Sequence, residues 1–170
     1  MRIVTQLWDE KFKYHDELKE SLLSEINRTD NTYSTNKTNK ISRLDWHAST
    51  NMVRPWVKII YDKLQEHFNK CVNELNYNKV VITNLWFQQY KEKDIHDWHV
   101  HGDNYTGVYY LDFPEGAPKT ELRDHMDNYL TLDSKEGHVV MFPSFFIHRS
   151  PLAGIKKTII SFNINLRIKE

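Results

Sequence analysis

The hydrophobic pattern of the chain changes its period after Tyr77, and this change is the strongest constraint on the fold. Before this point apolar residues recur three or four positions apart, as on one face of a helix, whereas after it they alternate, as along a strand. The alternation predicts strands over residues 80–90, 107–113, 129–133, 138–142 and 158–168. Helices followed by strands are typical of an α+β fold, in which the helices lie against one side of an antiparallel sheet.

Two amphipathic helices are predicted before the change of period. Residues 9–26 place Leu18, Leu22 and Ile26 four positions apart. A second helix is predicted to begin near Pro55, since proline suits a first helical turn. Its apolar stripe consists of Trp56, Ile60, Leu64, Phe68, Cys71 and Leu75. The segment between the helices, residues 29–40, has almost nothing to bury and is expected to be an exposed loop that could act as a lid.

The last predicted strand has two different faces. One face is apolar and consists of Thr158, Ile160, Phe162, Ile164, Leu166 and Ile168. The other is polar except for Ile159, and it consists of Lys157, Ser161, Asn163, Asn165 and Arg167. We expect the apolar face to meet the helices and the polar face to line a cavity or solvent. Lys157 and Ser161 are therefore candidate ligand-binding residues.

Length, charge and cysteine content limit the class of protein. The 170 residues are expected to form a single domain, with a helical segment over about 1–77 and a β-domain over about 78–170. The formal net charge is zero, so no nucleic-acid footprint is indicated. A single cysteine, a polar N-terminal segment and no long apolar run lead us to expect a cytoplasmic protein without membrane association.

Residues 98–111, WHVHGDNYTGVYYL, contain a candidate metal site. Alternate positions of an extended chain share a face, so either His99 with His101 or His101 with Asp103 can bind one ion. Histidine is the commonest ligand for first-row metals, and a carboxylate is a usual partner in non-haem iron sites. The distal candidate ligand is His148, in the segment MFPSFFIHRSP.

A candidate cation for a bound dicarboxylate follows the distal histidine. Lys157 stands nine positions after His148, at the start of the polar face of the last predicted strand. In that position its ammonium group can hold the far carboxylate of a dicarboxylate that chelates the metal. Tyr90 and Tyr110, on neighbouring predicted strands, can add hydroxyl donors.

Five short segments, in this order, resemble one enzyme family. They are WFQQY at 86–90, HVH at 99–101, TGVYYL at 106–111, FPSFFIH at 142–148 and KKTIISFN at 156–163. Together they resemble the 2-oxoglutarate–Fe(II) oxygenases and, more loosely, the prolyl-hydroxylase-like superfamily. The resemblance covers roughly the C-terminal half of the chain. The N-terminal helices resemble those of phage-encoded members in a general way, which suggests a viral source and a host-cytoplasmic location.

The resemblance implies a double-stranded β-helix (a jelly-roll, cupin-like fold) that holds Fe(II) and uses 2-oxoglutarate and dioxygen, most simply as a hydroxylase. It makes His148 the distal iron ligand and puts Lys157 in the place of the usual arginine on the 2-oxoglutarate tail. Tyr110 and Tyr90 would lie near the cosubstrate.

The resemblance leaves the ligand pair of the first strand open. The superfamily pattern His-x-Asp favours His101 with Asp103, whereas the nearer family's His-x-His favours His99 with His101.

Two alternatives belong to other functional classes. One is a cupin-like metal-binding module that does not use 2-oxoglutarate, either a dioxygenase with three histidine ligands or a binding protein. The other is an interaction protein in which the barrel serves only as a scaffold. The sequence does not indicate the primary substrate or the oligomeric state. Selectivity is expected to depend on residues 114–128 at the barrel rim and on the 29–40 segment.

Overall fold

A computed structural model describes residues 7–30, 32–35, 39–124 and 126–168. These residues form two helices, α1 (His15–Arg28) and α2 (Pro55–Glu74), and a short 3₁₀ helix at Trp46–Ala48. They also form eleven strands: β1 (Trp8–Lys11), β2 (Thr32–Thr35), β3 (Asn39–Leu44), β4 (Lys79–Tyr90), β5 (Ile95–His99), β6 (Tyr105–Asp112), β7 (Glu121–Arg123), β8 (Tyr129–Thr131), β9 (His138–Pro143), β10 (Ile147–Ser150) and β11 (Lys157–Arg167).

The described strands join into one curled antiparallel sheet. Their order is β1-β9-β6-β11-β4-β3-β5-β10-β7-β8, and β2, which lies outside this order, pairs with β3. The long strand β11 lies in the middle, hydrogen-bonded to β4 on one side and to β6 on the other. The predicted fold class, an α+β jelly-roll or double-stranded β-helix with helices packed on one side, is confirmed.

The two faces of β11 bury different cores. Its residues Ile160, Phe162 and Ile164 lie in a large core with the apolar stripes of α1 and α2. Ile159, on the opposite face, lies in a smaller core with residues such as Tyr110. The predicted division of the strand is therefore confirmed. Only the end of the apolar face differs, because β11 stops before Ile168, whose side chain is 73% exposed.

The prediction of the second helix is confirmed, and that of the first is partly wrong. α2 begins at Pro55, as expected. α1 begins at His15 rather than at residue 9, because residues Trp8–Lys11 form β1 and pair with β9. Trp8 is buried against the main core. Pairing with a strand more than a hundred residues away outweighs the local helical pattern of this charged segment.

The exposed loop expected over residues 29–40 is also corrected. Residues Thr32–Thr35 pair with β3, which begins at Asn39, while residues 31 and 36–38 lie outside the described residues. Within the first 77 residues, the described part of the chain therefore forms three strands as well as the two helices. Three further short strands, β5, β7 and β10, were not predicted, and β7 lies within the expected rim segment 114–128. Strands of three to five residues carry too few side chains to show a clear alternation.

A buried ion pair fixes the connection between β3 and α2. The Asp45 carboxylate pairs with the Arg54 guanidinium, and it also accepts hydrogen bonds from the Trp56 indole and the Phe87 backbone N–H, each at 2.9 Å. Both charged side chains are buried. This network ties the 3₁₀ helix and the start of α2 to β4 and so positions Trp46.

Neither described helix has an apolar stretch that could traverse a bilayer.

Close packing at Gly107 of β6 gives a stability prediction. A Cβ atom at this position would overlap the Val140 carbonyl oxygen and the Phe162 ring. We expect Gly107→Ala to lower the free energy of unfolding by about 1–3 kcal/mol, measured by urea denaturation. Gly154→Ala is the matched control, since nothing lies within 4 Å of its added Cβ. An equal effect of the two substitutions would contradict the packing argument.

Candidate metal centre

Three histidines converge where strands β5 and β10 pair. His99 ends β5 and lies directly opposite His148 of β10. His101 follows β5 by two residues, and its backbone N–H donates to the Ser144 carbonyl at 3.3 Å. One ring nitrogen from each of the three side chains lies within 4.8 Å of the other two. The structure therefore brings together three of the four predicted metal ligands.

Hydrogen bonds to the backbone orient two of these rings. Nδ1 of His99 donates to the Asp97 carbonyl at 2.6 Å, and Nδ1 of His148 donates to the Phe146 carbonyl at 2.9 Å. Because a carbonyl oxygen only accepts, each Nδ1 carries the proton and each Nε2 keeps its lone pair. Such bonds hold metal-binding imidazoles in one tautomer and one orientation.

The electrostatics of the cluster suit a divalent cation. Burial is the largest cause that lowers the pKa of His99, His101 and His148, in the case of His101 to about 4. The imidazoles are therefore neutral at pH 7, which is the state that binds metal. Three neutral imidazole nitrogens fit iron, zinc, copper or nickel, so the donor set suits Fe(II) without selecting it.

Asp103 lies outside this cluster. Its Oδ1 accepts hydrogen bonds from the Thr83 hydroxyl at 2.8 Å and from the Asn165 amide at 3.0 Å. Both bonds fasten the loop after His101 to strands β4 and β11. The arrangement of the side chains thus supports the His-x-His pair and gives Asp103 a positioning role in the loop.

Lys157 is buried at the other end of the same region, with only 2% of its surface exposed. Its Nζ donates to the Pro118 carbonyl and to the Ser150 hydroxyl, each at 2.7 Å. The ammonium also lies 4.8 Å from the centre of the Tyr90 ring and 5.6 Å from that of Phe113. Burial lowers the pKa of Lys157 to about 7.

The remaining predicted ligand-binding residues bond to neighbours in the same interior. The Tyr110 hydroxyl donates to Thr120 at 2.8 Å. The hydroxyls of Tyr90 and Ser161 both donate to the Gln88 carboxamide oxygen, at 3.3 and 3.1 Å. Tyr90 and Ser161 line a cavity that reaches the three histidines, whereas Tyr110 lies behind Thr120.

Two cavities adjoin the histidine cluster. The inner cavity extends from His148 to Ser150 and Thr120, beside Lys157, and has a volume of about 30 Å³. That is room for about two water molecules, so a dicarboxylate enters only if the lining side chains move. The outer cavity has a volume of about 320 Å³ and lies on the side of β3 and the 3₁₀ helix. His99 and His101 line both cavities.

Sequence reasoning missed a fourth histidine. His96 stacks on His99, with ring centroids 3.9 Å apart and an angle of 20° between the planes. β5 is bulged against β10: His99 lies opposite His148 and His96 opposite Ser150, so three residues of one strand span two of the other. The bulge turns both imidazoles into the cavities. The density of histidines in IHDWHVH, residues 95–101, was the available signal.

Gln88 was missed as well, although it alternates with Trp86 and Tyr90 along β4. Its carboxamide lies 3.4 Å from Nδ1 of His96, and it lines both cavities. Its position on the polar face of a long strand could have identified it.

Solved structures share this fold at low sequence identity. A prolyl hydroxylase from Trichoplax adhaerens, in complex with a hypoxia inducible factor peptide, has a TM-score of 0.70 and 14% identity, over 94% of this chain and 83% of that chain. A viral collagen prolyl hydroxylase from Paramecium Bursaria Chlorella virus-1, in a 2OG complex, has a TM-score of 0.68 and 15% identity, over 95% of this chain and 96% of that chain. HygX from Streptomyces hygroscopicus, with nickel and 2-oxoglutarate bound, has a TM-score of 0.68 and 10% identity, over 95% of this chain and 83% of that chain.

No protein-family model and no curated protein matches the sequence. The similarity therefore lies in the fold rather than in the sequence.

The ligand set gives a prediction for metal affinity. We expect His99→Ala to weaken Fe(II) binding by at least about 100-fold, since it removes one of the three candidate ligands, whose ring is already oriented by its bond to the Asp97 carbonyl. Asp103→Asn should keep the wild-type affinity, because an amide oxygen still accepts from Thr83 and Asn165. Anaerobic calorimetric titration measures both effects.

His138→Ala is the matched control, since the described structure places His138 against Asp9 and away from the cluster. A loss of affinity in Asp103→Asn with none in His99→Ala would reverse the assignment in favour of the His-x-Asp pair.

Proposed function

We propose that this chain, which has the fold of prolyl hydroxylases and other 2OG–Fe(II) oxygenases, is a 2-oxoglutarate-dependent, non-haem Fe(II) oxygenase that acts as a hydroxylase. Its 170 residues would act as one oxygenase domain. The observation that carries the proposal is the convergence of His99, His101 and His148 at one end of a cavity whose other end lies beside a buried lysine.

The three imidazoles would hold the metal from one side. The backbone bonds of His99 and His148 keep their Nε2 lone pairs directed at the cluster, so little rearrangement is needed on binding. Three protein donors grouped on one side would leave room beside the cluster for a bidentate cosubstrate and for dioxygen. Fe(II) bound here would supply the oxygen chemistry, and the protein would supply orientation and a water-poor interior.

Lys157 would bind the far carboxylate of 2-oxoglutarate. Its ammonium is a compact charge with two donors already engaged by the Pro118 carbonyl and the Ser150 hydroxyl. A carboxylate that enters the inner cavity can replace the hydroxyl as acceptor and accept from Ser150 and Thr120 at the same time. A charge-assisted hydrogen bond of this kind is stronger than the neutral bond that it replaces.

A specific observation favours a second candidate, a three-histidine dioxygenase or a cupin-like metal-binding module that does not use 2-oxoglutarate. The inner cavity of about 30 Å³ is smaller than a dicarboxylate, and Lys157 already has hydrogen-bond partners. Both features suit a cavity that stays closed.

Formation of succinate separates the two candidates. With Fe(II), 2-oxoglutarate and dioxygen, the wild-type protein should release succinate even without a primary substrate. Lys157→Ala should raise the KM for 2-oxoglutarate by about 10- to 100-fold, as expected for loss of a charged hydrogen bond. Lys156→Ala is the matched control, because Lys156 is adjacent to Lys157 in the sequence and its side chain is exposed. If the iron-loaded wild-type protein releases no succinate, the oxygenase proposal is wrong and the second candidate is favoured.

The pKa of Lys157 predicts how cosubstrate affinity depends on pH. Because burial lowers this pKa to about 7, the ammonium form of the free protein is lost as the pH rises through 7. The affinity for 2-oxoglutarate should therefore fall with rising pH, by up to about tenfold per unit above 7. Anaerobic titration of the Mn(II)-loaded protein between pH 6.5 and 8.5 measures this slope. An equal slope in Lys157→Ala would assign it to another group.

A further inference from the structure

The outer cavity has largely apolar walls, although the histidine cluster forms part of its lining. Ile41 and Leu44 of β3 line one side, and Trp46, Trp86 and Val100 complete the apolar surface. Its volume of about 320 Å³ falls in the range of small-molecule binding sites. Because His99 and His101 also line it, a group bound there would lie directly beside the proposed metal.

Trp46 is held at the mouth of this cavity although 45% of its surface is exposed. Its ring packs edge-on against Trp86, with centroids 4.6 Å apart and an interplanar angle of 78°. The residue before it, Asp45, is fixed by the buried pair with Arg54. The protein therefore keeps a large apolar ring at a partly solvated position. A partly exposed aromatic ring at the edge of an apolar cavity offers a surface that a bound apolar group can cover.

Val100 adds a second exposed apolar side chain to the same mouth, with 54% of its surface exposed. It lies between His99 and His101 in the sequence, and all three residues line the same cavity.

The cavity offers no partner for a charge among the described residues. Its described lining contains no Asp, Glu, Lys or Arg. Gln88 is the only carboxamide in that lining, and its oxygen already accepts from Tyr90 and Ser161. In the metal-free protein, an ionised group buried here would lose its hydration without gaining a counter-charge.

We propose that the outer cavity binds an uncharged, apolar group of the primary substrate, an aliphatic chain or ring, and that Trp46 and Val100 determine this preference. The inference rests on the proposed oxygenase function, because it assigns the cavity to the group that is oxidised. Trp46, packed against Trp86, would form one wall around the group and Val100 would cover its outer end, which would place a C–H bond beside the histidine cluster.

Three probes that share a cyclohexyl ring but differ in charge test the preference for an uncharged group. They are cyclohexylmethanol, cyclohexanecarboxylate and cyclohexylmethylamine. Binding to the full chain is followed by tryptophan fluorescence and by saturation-transfer NMR, with Mn(II) and 2-oxoglutarate present and, separately, without either. In the metal-free preparation, where no cation can offset the charge of the carboxylate, the neutral probe should bind at least about tenfold more tightly than both charged probes. Equal affinities for the three probes would overturn the proposal.

Two substitutions assign the preference to particular side chains. Trp46→Ala should weaken binding of the neutral probe by about tenfold, because it removes one wall. Val100→Asp should reverse the order of affinities in favour of the amine. Val53→Asp is the matched control, since Val53 is 67% exposed and does not line the cavity. Unchanged binding in Trp46→Ala, or the same shift in Val53→Asp, would contradict the assignment.

The failures of the two proposals can be told apart. Preference for the neutral probe without any succinate formation would remove the oxygenase function and leave an apolar binding site. Succinate formation by wild type, with probe binding unaffected by Trp46→Ala and Val100→Asp, would remove only the assignment of the outer cavity.

Discussion

Strand β11 holds the structure together, because it hydrogen-bonds along almost its whole length to β4 and over most of it to β6, while its side chains separate two environments. Ile160, Phe162 and Ile164 pack against the helices, whereas Lys157 and Ser161 point into the interior of the curled sheet. A shift of one residue in the pairing would exchange these sets and bury the polar side chains among leucines and tryptophans. The register of one strand therefore maintains both the core and the site.

Burial prepares the two ends of the site in different ways. Among the histidines it favours neutral rings with free lone pairs, and at Lys157 it brings the ammonium group close to its point of deprotonation. Both effects have the same origin, since a buried interior disfavours the charged form of each side chain unless a compensating charge lies nearby. The positive charge of a divalent cation at one end and the negative charge of a carboxylate at the other would compensate each other within this interior. Binding at one end should therefore favour binding at the other.

The sequence predicted the parts of this protein that depend on local periodicity. α2, β4 and β11 are long enough for their side chains to show which face is buried, and their predicted ranges nearly match the structure. The short strands β1, β2 and β5 exist because distant backbone groups pair with them, and no local pattern records that pairing.

The same limit applies to the candidate site. His99, His101, His148 and Lys157 could be chosen from spacing and from the family resemblance, but both left Asp103 as an alternative to His99. The position of its carboxylate outside the histidine cluster depends on the loop after His101, which directs it to Thr83 and Asn165. His96 was missed because strict alternation puts it on the opposite face from His99, and only the bulge in β5 reverses that.

The short strand β10 connects the two ends of the interior. His148 and Ser150 are two residues apart on it, which corresponds to about 7 Å along an extended chain. His148 belongs to the histidine cluster, and Ser150 bonds directly to Lys157. Under the proposed function, β10 would thus serve as a molecular ruler. A homologue of the cosubstrate with one methylene more or fewer could satisfy the metal or the ammonium group, but not both without displacing a strand that is hydrogen-bonded on both sides.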